Sequence, residues 1–258
     1  MKNNIKYVLQ PIGRDRKEIY ELAMENNYGI EIVDFALPKT INDSKLYDDL
    51  IKQNKNELIN IGELSFHGPF IDIILHSMDN DIKRISREKI EKAISTSLEL
   101  NCKTIIFHSG INSLITNNNY IGNTVDIHAE YWDKLLEKYN EITIYLENMW
   151  EKSADVLIRI TQKVKSNRLK ICLDTGHANV FGKEPIDKWL NVNIDYIHFN
   201  DNNGDEDSEY AVGDGNINWE KIFKKILLMN NGKIRTVLEV GTIERIKKSI
   251  EYIEKYSA

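Results

Sequence analysis

LKICLDTGHANVFGKEPIDKWLNVNIDYIHFND, residues 169–201, holds the pattern on which the fold turns. One apolar run, 169–174, ends in Asp174; a longer segment follows; a second run, 194–199, carries His198 near its end. Two strand-length runs separated by a helix-length segment are the mark of a parallel βαβ unit, because parallel neighbours need a crossover of about a dozen residues or more. The same alternation continues in both directions. Candidate strands at 5–11, 29–35, 62–67, 103–108, 142–147 and 234–239 bring the set to eight. The segments between them place apolar residues three and four apart, as in Ile90, Ala93, Ile94, Ser97 and Leu98, or Ile222, Phe223, Ile226 and Leu227. Eight βα repeats in 258 residues predict an α/β fold, a single (β/α)8 TIM barrel, for which roughly 250 residues is typical. No composition shift or Pro/Gly/Ser-rich linker divides the chain, so 1–258 reads as one TIM-barrel domain, with 200–218 its one long irregular stretch.

Composition narrows the partners. With 34 Lys+Arg against 40 Asp+Glu and a net charge of -6, the chain has no global positive field. A nucleic-acid partner is thus disfavoured without being excluded, since it would need a local basic patch. The rim loops offer only the isolated Arg14, Lys39 and Lys183. The two cysteines, Cys102 and Cys172, lie beside or within apolar runs, which argues against both a disulfide framework and a cysteine zinc site. The start, MKNNIKYVLQPIG, has no apolar leader core, and no run approaches the ~18 apolar residues of a membrane span. A soluble, cytoplasmic protein without a membrane partner is expected; homo-oligomerisation stays open.

In such a barrel, chemistry sits where strands end and βα loops begin. Strand three runs into Phe66-His67-Gly68-Pro69-Phe70, strand four into Phe107-His108-Ser109-Gly110 and strand five into Leu146-Glu147-Asn148. Strand six ends Leu173-Asp174-Thr175-Gly176-His177, strand seven gives Ile197-His198-Phe199-Asn200-Asp201, and strand eight closes Leu238-Glu239-Val240-Gly241. Four of the six histidines (His67, His108, His177 and His198) and three carboxylates (Glu147, Asp174 and Glu239) thus converge on one rim. Charges buried there would cost several kcal/mol unless paired, and a divalent cation satisfies neutral imidazoles and carboxylates together. The mixed N/O donors suit Zn, Mn, Fe or Co, admit Mg, and argue against Ca. His76 and His128, in a loop and on a predicted helix, receive no role.

The loop after strand seven adds Asp207 and Glu209, which an extended backbone would turn to one side. They also belong to an acidic run with Asp205 and Glu206, and such runs are usually solvated faces. Gly213-Asp214-Gly215-Asn216-Ile217-Asn218-Trp219 reads as a glycine turn into a helix capped by Asn218, and lacks the lysine and serine of a P-loop. Phe66, Phe70, Trp150 and Trp219 are candidates for the wall of a small-molecule pocket, with core packing the alternative.

As an ordered set, HGPF (67–70), FHSG (107–110), LEN (146–148), LDTGHA (173–178), HFNDNNG (198–204), GDGNINW (213–219) and LEVG (238–241) resemble the xylose isomerase-like superfamily. It unites sugar and sugar-phosphate isomerases and epimerases with the endonuclease IV group, AP endonuclease family 2. GIEIVDF (29–35) is a compatible start. The resemblance implies Glu147, Asp174, His198 and Glu239 as ligands of one metal, with Glu147 and Glu239 doubling as the acid/base pair and His177 touching a substrate oxygen. In the nuclease branch, His67 and His108 would complete a second metal site bridged by Glu147, and His177 with an Asp-x-His pair a third. Here Asp207 matches that aspartate, but Glu209 stands at the histidine position, which puts a trinuclear centre in doubt.

One to three divalent ions (Zn, Mn or Co, with Mg admissible) and a small carbohydrate substrate are therefore expected. The leading expectation is proton transfer next to a carbonyl, giving isomerisation or epimerisation, with Phe66, Trp150 and His177 as substrate contacts. The rival is phosphodiester hydrolysis at abasic sites. A third reading, from a different class, is a barrel that binds metal or sugar without turnover, its pocket blocked by Tyr210 or Trp150.

Overall fold

In the computed structural model, which describes residues 5–229 and 234–256, strand pairing closes on itself: β1 pairs with β8 as well as with β2, and every pair is parallel. The strands are β1 (Ile5–Leu9), β2 (Gly29–Ile32), β3 (Leu64–His67), β4 (Thr104–His108), β5 (Thr143–Glu147), β6 (Leu169–Asp174), β7 (Tyr196–Phe199) and β8 (Ile234–Leu238). Around them lie α1 (Arg16–Asn26), α2 (Pro38–Asn42), α3 (Ser44–Glu57), α4 (Asn80–Glu99), α5 (Asn118–Lys138), α6 (Asp155–Lys163), α7 (Thr175–Phe181), α8 (Ile186–Trp189), α9 (Trp219–Leu228) and α10 (Ile243–Lys255). The eight expected strands are all present and the expected (β/α)8 barrel is the fold. The opening MKNN and the last two residues lie outside the described part. Among the described residues, no helix is long and apolar enough to cross a membrane.

Two cores result from the period of two along each strand. Leu9, Ile30, Phe66, Phe107, Leu146, Leu173, Phe199 and Leu238 belong to a large core between strands and helices, while Val8, Ile106, Tyr145, Cys172, Tyr196 and Val237 form a separate cluster inside the barrel. Phe66 is fully buried and stacked on Phe35 at 5.5 Å. It therefore packs under the helices and is not a substrate contact: next to inward-facing His67, alternation sends it the other way. On α4, Ile90, Ala93, Ile94 and Ser97 are buried as expected, whereas on α9 Leu227 is 46% exposed and lies off the apolar stripe.

The stretch 200–218 is irregular but strongly tied. Asp201, fully buried, accepts from Trp219 Nε1 at 2.7 Å, from the Gly213 amide at 3.0 Å and from the Ile217 amide at 3.2 Å. Trp219 thus belongs to the core, edge-on to Phe199 at 4.9 Å, and does not wall a pocket. Gly213 supplies the turn at φ +92°, and Asn218 caps α9 by accepting from the Lys221 amide at 3.2 Å. Replacing Asp201 by alanine strands several buried donors, each worth about 1–3 kcal/mol. Asp201→Ala should lower urea-measured stability by roughly 3 kcal/mol or more, and a loss below about 1 kcal/mol would contradict this role.

Candidate metal centre

One layer above the apolar interior cluster, the inward positions turn polar. Register fixes their level: His108 pairs with Glu147 across β4 and β5, and Asp174 with His198 across β6 and β7. The Glu147 carboxylate, fully buried, lies among four imidazoles. Its Oε2 is 3.3 Å from His67 Nε2 and 3.4 Å from His108 Nε2; its Oε1 is 3.2 Å from His198 Nδ1 and 3.6 Å from His177 Nδ1. His198 Nδ1 also lies 2.7 Å from Glu239 Oε2.

These are close approaches without hydrogen-bond alignment. Both oxygens of Glu147, both ring nitrogens of His198 and Oε2 of Glu239 are buried and lack an aligned partner. Buried polar atoms left so are costly, and a cation held by converging lone pairs removes the cost. Three sets have one donor atom per residue within 4.8 Å of one another: Glu147, Asp174, His198 and Glu239; His67, Glu147 and His198; His108, Glu147 and His177. Ligands at the roughly 2.0–2.2 Å of metal–N and metal–O bonds lie up to about 4.4 Å apart, so the residues present suit a divalent ion with little adjustment.

A surrounding layer orients these groups. His67 Nδ1 bonds to the Gly68 carbonyl at 2.9 Å, which turns Nε2 to Glu147. His177 Nδ1 bonds to the Asn148 carbonyl at 2.9 Å, and its Nε2 meets Asp207 Oδ2 at 3.1 Å. Asp174 Oδ1 caps α7 by accepting from the His177 amide at 2.6 Å, while Oδ2 accepts from Asn200 Nδ2 at 2.7 Å. The glycine of LDTGH is required there, because a Cβ at Gly176 would overlap the Asn200 side chain. Outward-bonded imidazoles and tethered carboxylates of this kind set ligand orientation in metal sites.

Charge crowding shows in the titration behaviour. Burial raises Asp174 to about 8, the nearby Glu147, Glu239 and Asp207 adding to it. Burial also opposes ionisation of Glu147, but the attraction of His108 and His198 overrides it and holds its carboxyl well below the usual range. For His67, burial opposes the charged form, yet the Glu147 carboxylate 3.3 Å away lifts it to about 9. A bound cation would take over the stabilisation that protons on these imidazoles provide.

Beside this cluster lies a cavity of ≈ 480 Å³ whose lining includes His67, Phe70, His108, His177 and Glu239. Asp207 and Glu209 line it too, although Asp207, like Asp205 and Glu206, is exposed. Both carboxylates thus share one side, as expected, but Glu209 is left-handed, at φ +46°, where the expectation assumed an extended backbone. Burial, with Glu239 and Asp207 nearby, lifts Glu209 to about 7. Trp150 is 43% exposed and is absent from the lining, where Met149 stands instead. Glu151 sets this choice by accepting from the Met149 amide at 2.7 Å while its other oxygen accepts from the Ser109 hydroxyl. Tyr210 does not line the cavity either. Arg14, Lys39 and Lys183 are exposed and outside the lining.

The sequence reading missed Glu31. Fully buried on β2, it holds His198 Nε2 at 3.3 Å and accepts from Gln10 at 2.9 Å, Ser65 at 3.1 Å and Tyr196 at 2.7 Å. Burial opposes its charge, but the attraction of His198 lowers it to about 2. Its signal was a carboxylate inside an apolar strand, GIEI. His76 and His128 sit elsewhere, paired at 3.2 Å, with His76 also 2.9 Å from the Tyr120 hydroxyl.

Fold and site together define a parallel eight-fold barrel with an imidazole–carboxylate centre at its C-terminal mouth. The chain belongs to the family described as xylose isomerase-like TIM barrel, whose model matches residues 23–256. An uncharacterised protein of Methanocaldococcus jannaschii is 28% identical over 206 residues, covering 75% of this chain and 70% of that one. A probable endonuclease 4 of Mycoplasmopsis pulmonis is 26% identical over 182 residues, 60% of each chain. Among solved structures, a D-tagatose 3-epimerase-like protein superposes with a TM-score of 0.76 at 24% identity, covering 98% and 97% of the two chains. A Thermus thermophilus protein, its crystal soaked with ZnCl2, also gives 0.76, at 20% identity and the same coverage. Likenesses at these identities establish the fold.

Two outcomes are expected of this geometry. Glu147→Gln should lower the metal-to-chain ratio of purified protein at least several-fold by elemental analysis, and chelation should lower the Tm of the wild type far more than that of the variant. The second concerns His76 and His128, which burial depresses to about 4 and about 3. Both are neutral when folded, whereas the unfolded chain takes up their protons below about 6.5. Stability should therefore fall as pH drops from about 6.5 towards 4, and the double variant His76→Gln/His128→Gln should show a shallower fall in denaturant titrations. Identical slopes would contradict the assignment.

Proposed function

We propose that the protein is a divalent-metal-dependent isomerase or epimerase of small carbohydrates that acts by proton transfer next to a carbonyl. The observation that carries this reading is the Glu147–Glu239 arrangement: two carboxylates joined through one imidazole, His198, with Glu239 reaching the cavity and Glu147 fully buried beneath. When bound among Glu147, Asp174, His198 and Glu239, a divalent ion such as Zn, Mn or Co polarises the substrate carbonyl and stabilises the enediolate charge.

The rest is the work of side chains. Glu239 removes the carbon-bound proton, and Glu147, recharged with a proton by His67 3.3 Å away on the cavity wall, returns one to the opposite face of the planar intermediate. His177, held by the Asn148 carbonyl at 2.9 Å, contacts a substrate oxygen. Phe70 and Met149 cover the reacting carbons and limit water. The repeated matches to epimerase-like structures support the reading, as does the confined cavity. The endonuclease relatives and the sets containing His67 and His108 favour a phosphodiesterase as the rival.

Metal-loaded protein in D2O should incorporate deuterium into at least one member of a ketose panel, and Glu239→Gln should slow that exchange by about 100-fold or more. Cleavage of an abasic oligonucleotide with no exchange into any sugar would overturn the proposal in favour of the hydrolase.

A further inference from the structure

The charge of the cavity wall narrows the substrate class, on the footing of the isomerase reading above. Apart from the imidazoles, whose ring nitrogens face Glu147 and Asp207, Arg16 is the one cationic side chain among the described residues lining the cavity, set against Asp34, Asp207, Glu209 and Glu239. Its donors are spent inside the protein. Nε bonds to Glu57 at 2.8 Å, Nη1 to Asp34 at 2.8 Å and to the Pro11 carbonyl at 3.3 Å, and Nη2 to Asn54 Oδ1 at 3.2 Å and the Tyr20 hydroxyl at 3.4 Å. Turning this guanidinium to a ligand would leave Asp34 and Glu57 without their charge partner.

A second observation is independent of Arg16. Barrels that bind phosphate commonly do so with the loops after strands seven and eight and a helix N-terminus there. In this chain the loop after β7 carries Asp205, Glu206, Asp207 and Glu209. At the start of α10 the Arg245 amide is taken by Thr242 Oγ1 at 3.2 Å and the Ile243 amide by Asp15 Oδ2 at 3.1 Å, with Glu244 in the first turn. The Arg245 guanidinium is turned to the Glu209 carbonyl at 2.9 Å. After β2, α2 begins with Pro38, which has no amide to donate. A divalent ion among Glu147, Asp174, His198 and Glu239 would meet three carboxylates, so even the loaded centre carries no surplus positive charge for a dianion.

We propose that the substrate is an uncharged sugar, a free ketose or aldose, and that phosphate esters are rejected. A phosphate monoester brings a charge of about −1.5 to −2 at neutral pH, and desolvating it against these carboxylates without a free cationic donor is unfavourable. The C–H faces of a free sugar instead lie against Ile12, Val33, Leu37 and Leu50 of the cavity wall.

The test uses metal-loaded protein in D2O, comparing kcat/KM for proton exchange into free ketohexoses and into their 6-phosphates, with calorimetric binding of D-fructose and fructose 6-phosphate alongside. A preference for free sugars of at least tenfold is expected. Leu37→Arg and Gln53→Arg, each placing a cation on an exposed lining position, should shift that ratio towards the phosphates by several-fold. Exchange into the 6-phosphates at equal or greater efficiency overturns this inference and leaves the isomerase reading standing. Absence of both exchange and binding with every sugar tested overturns the isomerase reading, and this inference falls with it.

Discussion

A carboxylate stripped of water and ringed by imidazoles, that of Glu147, sets the terms for everything around it. Ions removed from water cost several kcal/mol each unless fully compensated, and a packed apolar layer in the same place would serve stability better. The layer below, built on Ile106, Tyr145, Cys172 and Val237, is such packing. One step up each strand the same closed geometry instead gathers His67, His108, Glu147, Asp174 and His198, with buried atoms of His108, Glu147 and His198 lacking a partner. Stability is surrendered at the level from which βα loops depart, which is the behaviour expected of a functional site.

The fold was legible because two periodicities are written in the chain: strand-length apolar runs, and helix-length segments between them. The same runs located most of the site, since a polar residue ending an apolar strand has few places to go. Aromatic residues were misread for the complementary reason. Being aromatic says nothing about facing, whereas adjacency does: Phe66 must face away from His67, and Trp219 is claimed by Asp201. Trp150 is turned outward by Glu151, a contact between a backbone amide and a carboxylate that no spacing rule encodes. Glu31 escaped because its one local mark, a carboxylate inside an apolar strand, names no partner. Its partners come from three other places along the chain, Gln10 after β1, Ser65 on β3, and Tyr196 and His198 on β7, and only barrel closure assembles them.

The acidic loop after β7 shows composition and conformation competing. Four acids in five residues, Asp205, Glu206, Asp207 and Glu209, suggest a solvated face, and the first three are indeed exposed. Asp207 nevertheless lines the cavity beside Glu209, whose backbone takes a left-handed turn with its carbonyl held by Arg245 at 2.9 Å. A non-glycine residue held at positive φ carries strain of order 1–3 kcal/mol, and such strain collects at functional sites.

Polarity alone does not identify the site, as the opposite end of the barrel demonstrates. There Arg235 stacks over Tyr145 at 5.2 Å and Tyr196 at 4.9 Å, Tyr145 donates to Asp195 at 2.9 Å, and Lys170 reaches the other Asp195 oxygen at 2.7 Å. That cluster is as charged as the centre above it, but its members close on one another. At the mouth, imidazoles and carboxylates approach at similar distances without alignment, and the deficit centres on Glu147 and His198. Between two polar ends of one barrel, the physical distinction is satisfaction of hydrogen-bonding capacity, and the end that leaves its lone pairs converging on common points is the one built to hold something else.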